Sequence, residues 1–448
     1  MMRTWGVAGA TVVLFSVFVF FRRRSRSLGQ YERYSSEGMI LKVLKRVAEV
    51  VDLIPFGPIH KKPSVDEICS QAQKKTGLSD FGTHTLWRQA LEAYFDDAWA
   101  YNSPLQRLLC RHESTELLSK RLRVLNAFKQ YPEAMEMELP RPVFIVGMPR
   151  TGSTILHQLL AEDSKAMSVP FWEWNDPVPP EKGQKDLRLQ KAQEKVELTR
   201  KAIPIIDTLH LTEAHEADEC YQGWIDFPYA SDGNLKIIPW HYKSFELFWN
   251  TDVTELYKNE RKILQLLLWQ RQTSYDWTIL KSPIHTISLD NLATAFPDSL
   301  FVWTHRDMKS VVCSFAGLCT LGFVRDHSAI IDMKECGRRA LEMLDMLMRR
   351  GLEARKKLEE QNFQFVDFYF SDFIRSPIEA ISQLYGLLGL PFTEEAEQQM
   401  QKFYQNSLEA RKAAKKPTKF TLDEFGLDKD DIDRTFEYYY KQFPKVSH

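Results

Sequence analysis

The sequence predicts an α/β protein: a P-loop-type central parallel sheet flanked by helices, preceded by a transmembrane helix and a helical N-terminal subdomain. Three stretches carry that prediction. Residues 142–160, PVFIVGMPRTGSTILHQLL, read as a short apolar, β-branched strand, a loop with two glycines, and the start of an amphipathic helix. Residues 277–304 hold two more apolar strands, 277–281 and 300–304, joined by a helix over 287–295, by default a right-handed βαβ unit. Residues 363–368 supply a further strand of the same kind.

The 448 residues, 44% of them hydrophobic, suffice for one large or two modest domains with a sizeable core. We divide the chain into an anchor with a basic flank (1–27), a helical region (28–138) and an α/β domain (139–448). A net charge of −1 provides no global field toward nucleic acid or an anionic membrane. The six cysteines, Cys69, Cys110, Cys220, Cys313, Cys319 and Cys336, show no CxxC spacing, which argues against a zinc module and a disulfide scaffold. They read as reduced core thiols.

Residues 4–21 carry no charge and lie between Arg3 and the cluster Arg22, Arg23, Arg24 and Arg26. At about 1.5 Å per residue such a helix just spans a hydrocarbon core of roughly 30 Å. The run lacks a small-residue cleavage pattern before the arginines, so it reads as an uncleaved anchor rather than a signal peptide. The arginines after the span place the rest of the chain on the cytoplasmic face by the positive-inside rule, in a single-pass protein of the endoplasmic reticulum or Golgi, with a lumenal domain as the alternative. No asparagine stands in an N-x-[ST] sequon, which agrees with the cytoplasmic side.

Helical periodicity marks residues 39–47, 85–101 and 117–131, interrupted by Pro55, Gly57, Pro58 and Pro63. No chemistry is legible there. In the loop that follows the first strand, Gly147 and Gly152 are four residues apart, so backbone N–H groups and the helix N-terminus can cradle an anion. A nucleotide hydrolase would carry lysine where this chain has Ser153, and Arg150 is the loop's strong cation. That substitution disfavours metal-bridged β and γ phosphates, and with them a P-loop kinase, but suits a phosphosulfate.

Residues 167–169 read as a second short strand and 171–177 as a loop, which puts Glu173 at the carboxyl end of a strand beside the phosphate loop. Residues 185–199 read as a charged, solvated helix. The segment 208–224 holds His210, Glu213, His215, Glu216, Asp218 and Glu219; read as a helix it puts His215 and Glu219 on one face. It is not HExxH and has no further ligand at metal spacing, so a lid over the acceptor is preferred to a metal site. Lys281, Ser282 and His285 follow the strand at 277–281; His305 and Arg306 follow the strand at 300–304, with Ser314 eight residues beyond on the next helix. An arginine at a strand end and a serine two turns along the following helix can converge on one phosphate.

At this point the chain resembles the sulfotransferases that use 3′-phosphoadenosine 5′-phosphosulfate (PAPS). GMPRTGST at 147–154 is similar to their 5′-phosphosulfate loop in the proline-arginine form of tyrosylprotein sulfotransferases, and Arg306 with Ser314 is similar to their 3′-phosphate clamp. LKSPIH (280–285), FVDFYFSDFIRSP (365–377), LYGLLGLPF (384–392) and FTLDEFGL (420–427) resemble segments of the same group. The resemblance covers residues 140–448. It implies an enzyme that moves a sulfuryl group to an acceptor hydroxyl; the anchor and the aromatic content point to membrane attachment and to a small lipophilic acceptor, a sterol, phenol or lipid. A glycan or a protein tyrosine is the alternative acceptor; a P-loop kinase or a non-catalytic membrane protein is the alternative class.

The resemblance implies roles for particular residues. Arg150, Thr151, Gly152, Ser153 and Thr154 would surround the 5′-phosphosulfate, with no metal required. Glu173 is preferred as the base, ahead of His285, which stands two residues past the family's histidine position; the bland alternatives are a carboxylate paired with Arg150 and a histidine satisfied at a helix start. Lys416 or Lys419, from the basic run 411–419, would fold over the 3′-phosphate. Ile155 replaces the adenine-stacking tryptophan. The aromatic segment 224–249 is read as favouring a lipophilic acceptor.

Overall fold

Apolar runs bounded by turns make five parallel strands, β1 Pro142–Gly147, β2 Ala166–Met167, β3 Trp277–Lys281, β4 Leu300–His305 and β5 Gln364–Tyr369, in the order β2-β3-β1-β4-β5. The computed structural model describes residues 60–202, 212–228, 243–326, 332–413 and 420–447. The expected anchor at 4–21 and both Lys416 and Lys419 lie outside the described residues. Among the described residues no helix is long and apolar enough to cross a membrane.

Every residue of β1, β3 and β4 is buried, as strands covered on both faces require. Alternation assigns Phe144, Val146, Leu280, Phe301 and Trp303 to one face and Val143, Ile145, Ile279, Leu300 and Val302 to the other. Helices α1 Val65–Thr76, α2 Leu86–Tyr101 and α3 Pro104–Gln130 precede the sheet. On the first face pack α5 Thr254–Arg271, α6 Leu289–Ala295, α7 Met308–Asp326 and α8 Met333–Glu360. On the second pack α4 Ser153–Leu160 and α9 Pro377–Leu388.

Three local expectations change. β3 and β4 are not neighbours: β1 lies between them, with Val143 opposite Ile279 on one side and Gly147 opposite Thr304 on the other. The two outer strands of the expected βαβ unit therefore use β1 as their shared partner. Residues 171–175, expected as a loop, form a short helix, Phe171–Asn175. Residues 212–219 are not helical, so His215 and Glu219 share no helix face; Ala217 instead bridges Pro170, and Phe171 N donates to Glu216 O at 3.0 Å.

The helices before the sheet are part of the same body. Leu86, Ala90 and Val124 belong to the core that holds Phe144 and Trp303. From α3, Arg121 is fully buried; its Nε donates to Phe81 O at 2.9 Å and its guanidinium pairs with Asp226, which also accepts from Asn259 of α5 at 3.0 Å. Burial works against the charged carboxylate, but Arg121 and His84 prevail and hold Asp226 below its ordinary value. The adjacent Lys120 donates to Trp174 O at 2.6 Å and Gln222 O at 2.8 Å, its pKa pulled down by burial to about 7. Two cations on one turn of α3 thus fix the segment 218–226.

Arg121→Met would leave the Asp226 carboxylate buried without its counterion. We expect a loss of about 3–5 kcal/mol in urea unfolding, and a smaller loss when Asp226→Leu is added. A depressed folded pKa stabilises above the unfolded value and loses that contribution on acidification. The wild-type advantage should therefore shrink on acidification, from the raised Asp226 pKa of the variant down to the depressed one of the wild type.

Candidate active site

The chain leaving β1 heads toward β2, and the chain leaving β4 heads to β5 on the other side of the sheet. The crevice where these paths diverge, at the carboxyl ends of β1 and β4, is where open α/β sheets bind ligands. Two glycines shape the loop there. Gly147 has φ +112°, and a Cβ on it would come within 2.9 Å of Thr304 O; Gly152 has φ +87°, and a Cβ would come within 2.4 Å of the Phe370 ring. Arg150 itself is left-handed at φ +68°, so the turn alternates in the manner of an anion-binding nest. Gly152 is the N-cap of α4 and no side chain caps that helix, so its first N–H groups face the loop.

Hydroxyls fasten this loop to its neighbours. Thr151 Oγ1 donates to Met148 O at 2.7 Å and lies 2.6 Å from Thr304 Oγ1 of β4. Thr286 Oγ1, after β3, lies 3.0 Å from Gly147 N and 2.9 Å from Gly147 O. Lys281 Nζ donates to Thr154 Oγ1 at 3.2 Å in the first turn of α4. Ser153 is buried beside it.

The second predicted anion group meets the first. Arg306 donates to Arg150 O at 2.9 Å, and Arg150 Nε donates to Ser314 Oγ of α7 at 3.0 Å. The Arg306 guanidinium also lies 4.5 Å above the Phe370 ring. Burial lowers the pKa of both arginines, and Arg306 lowers that of Arg150 further. Two desolvated guanidiniums this close favour an anion between or beside them. Arg306 is held from behind: His305 contacts Tyr439 OH through Nδ1 at 2.9 Å and Asp367 through Nε2 at 2.8 Å, and Met308 N donates to Tyr440 OH at 3.1 Å. Phe420, the first described residue after Lys419, packs on Gly317 of α7, and its carbonyl accepts from Cys313 Sγ at 3.4 Å.

The two expected base residues are engaged by other partners. Glu173 is buried and paired with Arg271, not Arg150: Arg271 Nε donates to Oε1 at 3.3 Å and its Nη2 to Oε2, while the same Nη2 reaches Ser168 O at 2.7 Å. Burial opposes that cation, but Glu173 overrides it and raises the arginine's pKa. Arg271 precedes β3 by six residues. His285 is fully buried with Nδ1 3.2 Å from Tyr257 OH; burial, with help from Lys281, pushes its pKa down to about 3. Ile155 faces the second core. The described ends of the 224–249 aromatic segment are also core: Trp224 stacks on Phe248 at 5.8 Å and meets Tyr257 edge-on at 5.9 Å.

A different carboxylate reaches the loop. Glu219 accepts from Lys281 Nζ at 2.6 Å and from Ser282 Oγ at 3.2 Å, and its charge is felt at Arg150. Its neighbour Asp218 is pushed up to about 7 by burial and by the Glu219 charge, with Lys281 acting against them. The sequence signal was present: a lysine ending a buried strand requires an acidic partner. What it lacked was the partner's address, 62 residues earlier.

Comparison with known proteins agrees with this geometry. A family model described as "Sulfotransferase family" matches residues 142–394. Sulfotransferase STF1 of Mycobacterium tuberculosis H37Rv superposes with a TM-score of 0.69 at 27% identity, over 84% of this chain and 99% of that one. Sulfotransferase STF9 of Mycobacterium avium shares the fold, with a TM-score of 0.71 at 24% identity over 85% of this chain and 96% of that one. These coverages exceed the share of the chain made up by residues 139–448, so the likeness extends into the preceding helices. A search of curated proteins finds no match. The chain belongs to the sulfotransferase family and is an enzyme that transfers sulfuryl groups, for which the family implies PAPS as donor.

Proposed function

We propose that the loop 147–154 holds the 5′-phosphosulfate of PAPS, that Arg306 and Ser314 hold its 3′-phosphate, and that Glu219 takes the acceptor proton beside Lys281. The observation that carries this reading is that Arg306 and Ser314 both meet Arg150 in one crevice, Arg306 at its carbonyl and Ser314 at its guanidinium. In the reaction the acceptor oxygen bonds to sulfur as the sulfur–oxygen bond to the 5′-phosphate breaks. Adenosine 3′,5′-bisphosphate leaves, and the acceptor proton passes to the carboxylate. Arg150, Lys281 and the α4 N–H groups are placed to take up the charge that develops on the departing phosphate. Glu173 is assigned no proton, because its carboxylate is paired with Arg271, whereas Glu219 is paired with Lys281, which also bonds Thr154 of the loop.

The acceptor we propose is a small lipophilic alcohol or phenol, and the chain we propose is anchored through residues 4–21 with its catalytic body in the cytoplasm. The uncharged run and the arginines behind it support that placement. Sulfate transfer by the full chain to sterol, phenol, glycan and tyrosine-peptide pools tests the acceptor; protease protection in microsomes tests the side.

Adenosine 3′,5′-bisphosphate should raise the Tm of the full chain without magnesium, by an amount equivalent to about 2.7 kcal/mol at a hundredfold excess over Kd. Arg306→Met should weaken that binding by roughly 1.5–3 kcal/mol, the value of a charged hydrogen bond. Unchanged affinity would remove Arg306 from the 3′-phosphate.

Glu219→Gln should lower kcat by about 10²–10⁴-fold while keeping the thermal shift with bisphosphate. Glu173→Gln should cost stability yet leave kcat within about tenfold. The reverse pattern in turnover assays would pass the base role to Glu173.

A further inference from the structure

One buried cluster has no part in this chemistry. Cys220 opens the turn Cys220–Gly223, Glu260 lies midway along α5, and His285 lies in the turn Pro283–Ile287 after β3. All three are at most 1% exposed. Their ligand-capable atoms lie within 4.8 Å of one another.

Two of the side chains are aimed by a second group that occupies their other atom. Tyr257 OH, one turn before Glu260 on α5, holds His285 Nδ1 at 3.2 Å. Trp224 Nε1 donates to Glu260 Oε2 at 2.8 Å. Of the atoms left over, His285 Nε2 has no hydrogen-bond partner among the described residues, and Glu260 Oε1 has none stronger than the Cys220 thiol. The Cys220 thiol, a weak donor, faces the Glu260 carboxylate. Unmet polar atoms this deep are costly, and here they converge on one point.

We propose that Cys220, Glu260 and His285 bind one zinc-class divalent cation as three protein ligands, with a water molecule as the fourth. A thiolate, an imidazole and a carboxylate together are a borderline-soft donor set of the kind that selects zinc over calcium or magnesium. Charge supports the assignment: a thiolate and a carboxylate neutralise a divalent ion in a site walled by Phe144, Trp224 and Tyr257. Tyr257 and Trp224 act as the orienting outer partners that metal ligands require. Bonds of about 2.0–2.3 Å would draw the three atoms inward from their present spacing.

The site ties together the two segments that frame the crevice. Cys220 directly follows Glu219, and His285 stands between Ser282, which binds Glu219, and Thr286, which binds Gly147. A cation there would clamp the turn bearing Glu219 to the turn that braces the phosphate loop. The site itself stands without the base assignment; its effect on turnover rests on that assignment.

The test uses the full chain, purified in detergent without a histidine tag. Elemental analysis should find about one zinc per chain, and replacement by cobalt should give a thiolate-to-metal charge-transfer band with tetrahedral visible absorption. Cys220→Ser and His285→Gln should each lose the metal and the band, and chelation should lower the wild-type Tm but not that of Cys220→Ser. Metal content and Tm are read apart from activity, so a failed base assignment leaves this result intact. The proposal is overturned by wild type with neither zinc nor a cobalt thiolate band, or by metal that Cys220→Ser retains. Should both variants fail to fold, the cobalt spectrum of the unaltered chain decides alone.

Discussion

The site depends on the close seam between β1 and β4. Gly147 lies against Thr304 with no room for a side chain, and Thr151 and Thr304 share a hydroxyl contact at 2.6 Å. This seam puts the end of β4 level with the turn after β1, so Arg306, one residue past β4, reaches the carbonyl of Arg150. A Cβ at Gly147 would force the strands apart where register matters most. The desolvation that depresses both arginines follows from the same closeness.

A second constraint acts from the opposite side of β1. Lys281 ends β3 inside the protein, and a buried ammonium is tolerable only if paired. Glu219 supplies the charge and Ser282 and Thr154 complete the hydrogen bonds, so one ion pair links the 219 turn, β3 and the first turn of α4. The same chain carries Asp218, whose elevated pKa reflects how little water and how much negative charge this corner holds. Two carboxylates adjacent in sequence but unlike in environment are a common basis for dividing proton roles.

Much of this was legible in the sequence, for reasons particular to each element. β1, β3 and β4 announce themselves because a strand buried on both faces must be apolar throughout, and the two loop glycines because their backbone conformations exclude other residues. The eight-residue interval from Arg306 to Ser314 is a local geometric relation, so its convergence could be anticipated. Pairings between distant segments could not: that β1 separates β3 from β4, that Arg271 and not Arg150 neutralises Glu173, and that Lys281 selects Glu219. The run 208–224 misled for a physical reason. Its acidic and histidine spacing fits a helix face, but residues 212–219 turn at 214–215 and bridge Pro170 through Ala217 instead.

The helices ahead of the sheet looked dispensable to the chemistry, and the energetics say otherwise. Lys120 and Arg121 are consecutive residues of α3, and burying two cations side by side is unfavourable unless each finds acceptors. The acceptors are Trp174 O, Gln222 O and Asp226, which flank the turn carrying Glu219 and Cys220. Breaking the Arg121–Asp226 contact would strand a charge, so the turn cannot shift without a cost of several kcal/mol. A carboxylate meant to take a proton must be held within a fraction of an ångström of its target. In this chain part of that precision comes from a helix whose own surface carries no legible chemistry, which is why the fold shared with the mycobacterial sulfotransferases extends past the boundary drawn from motifs alone.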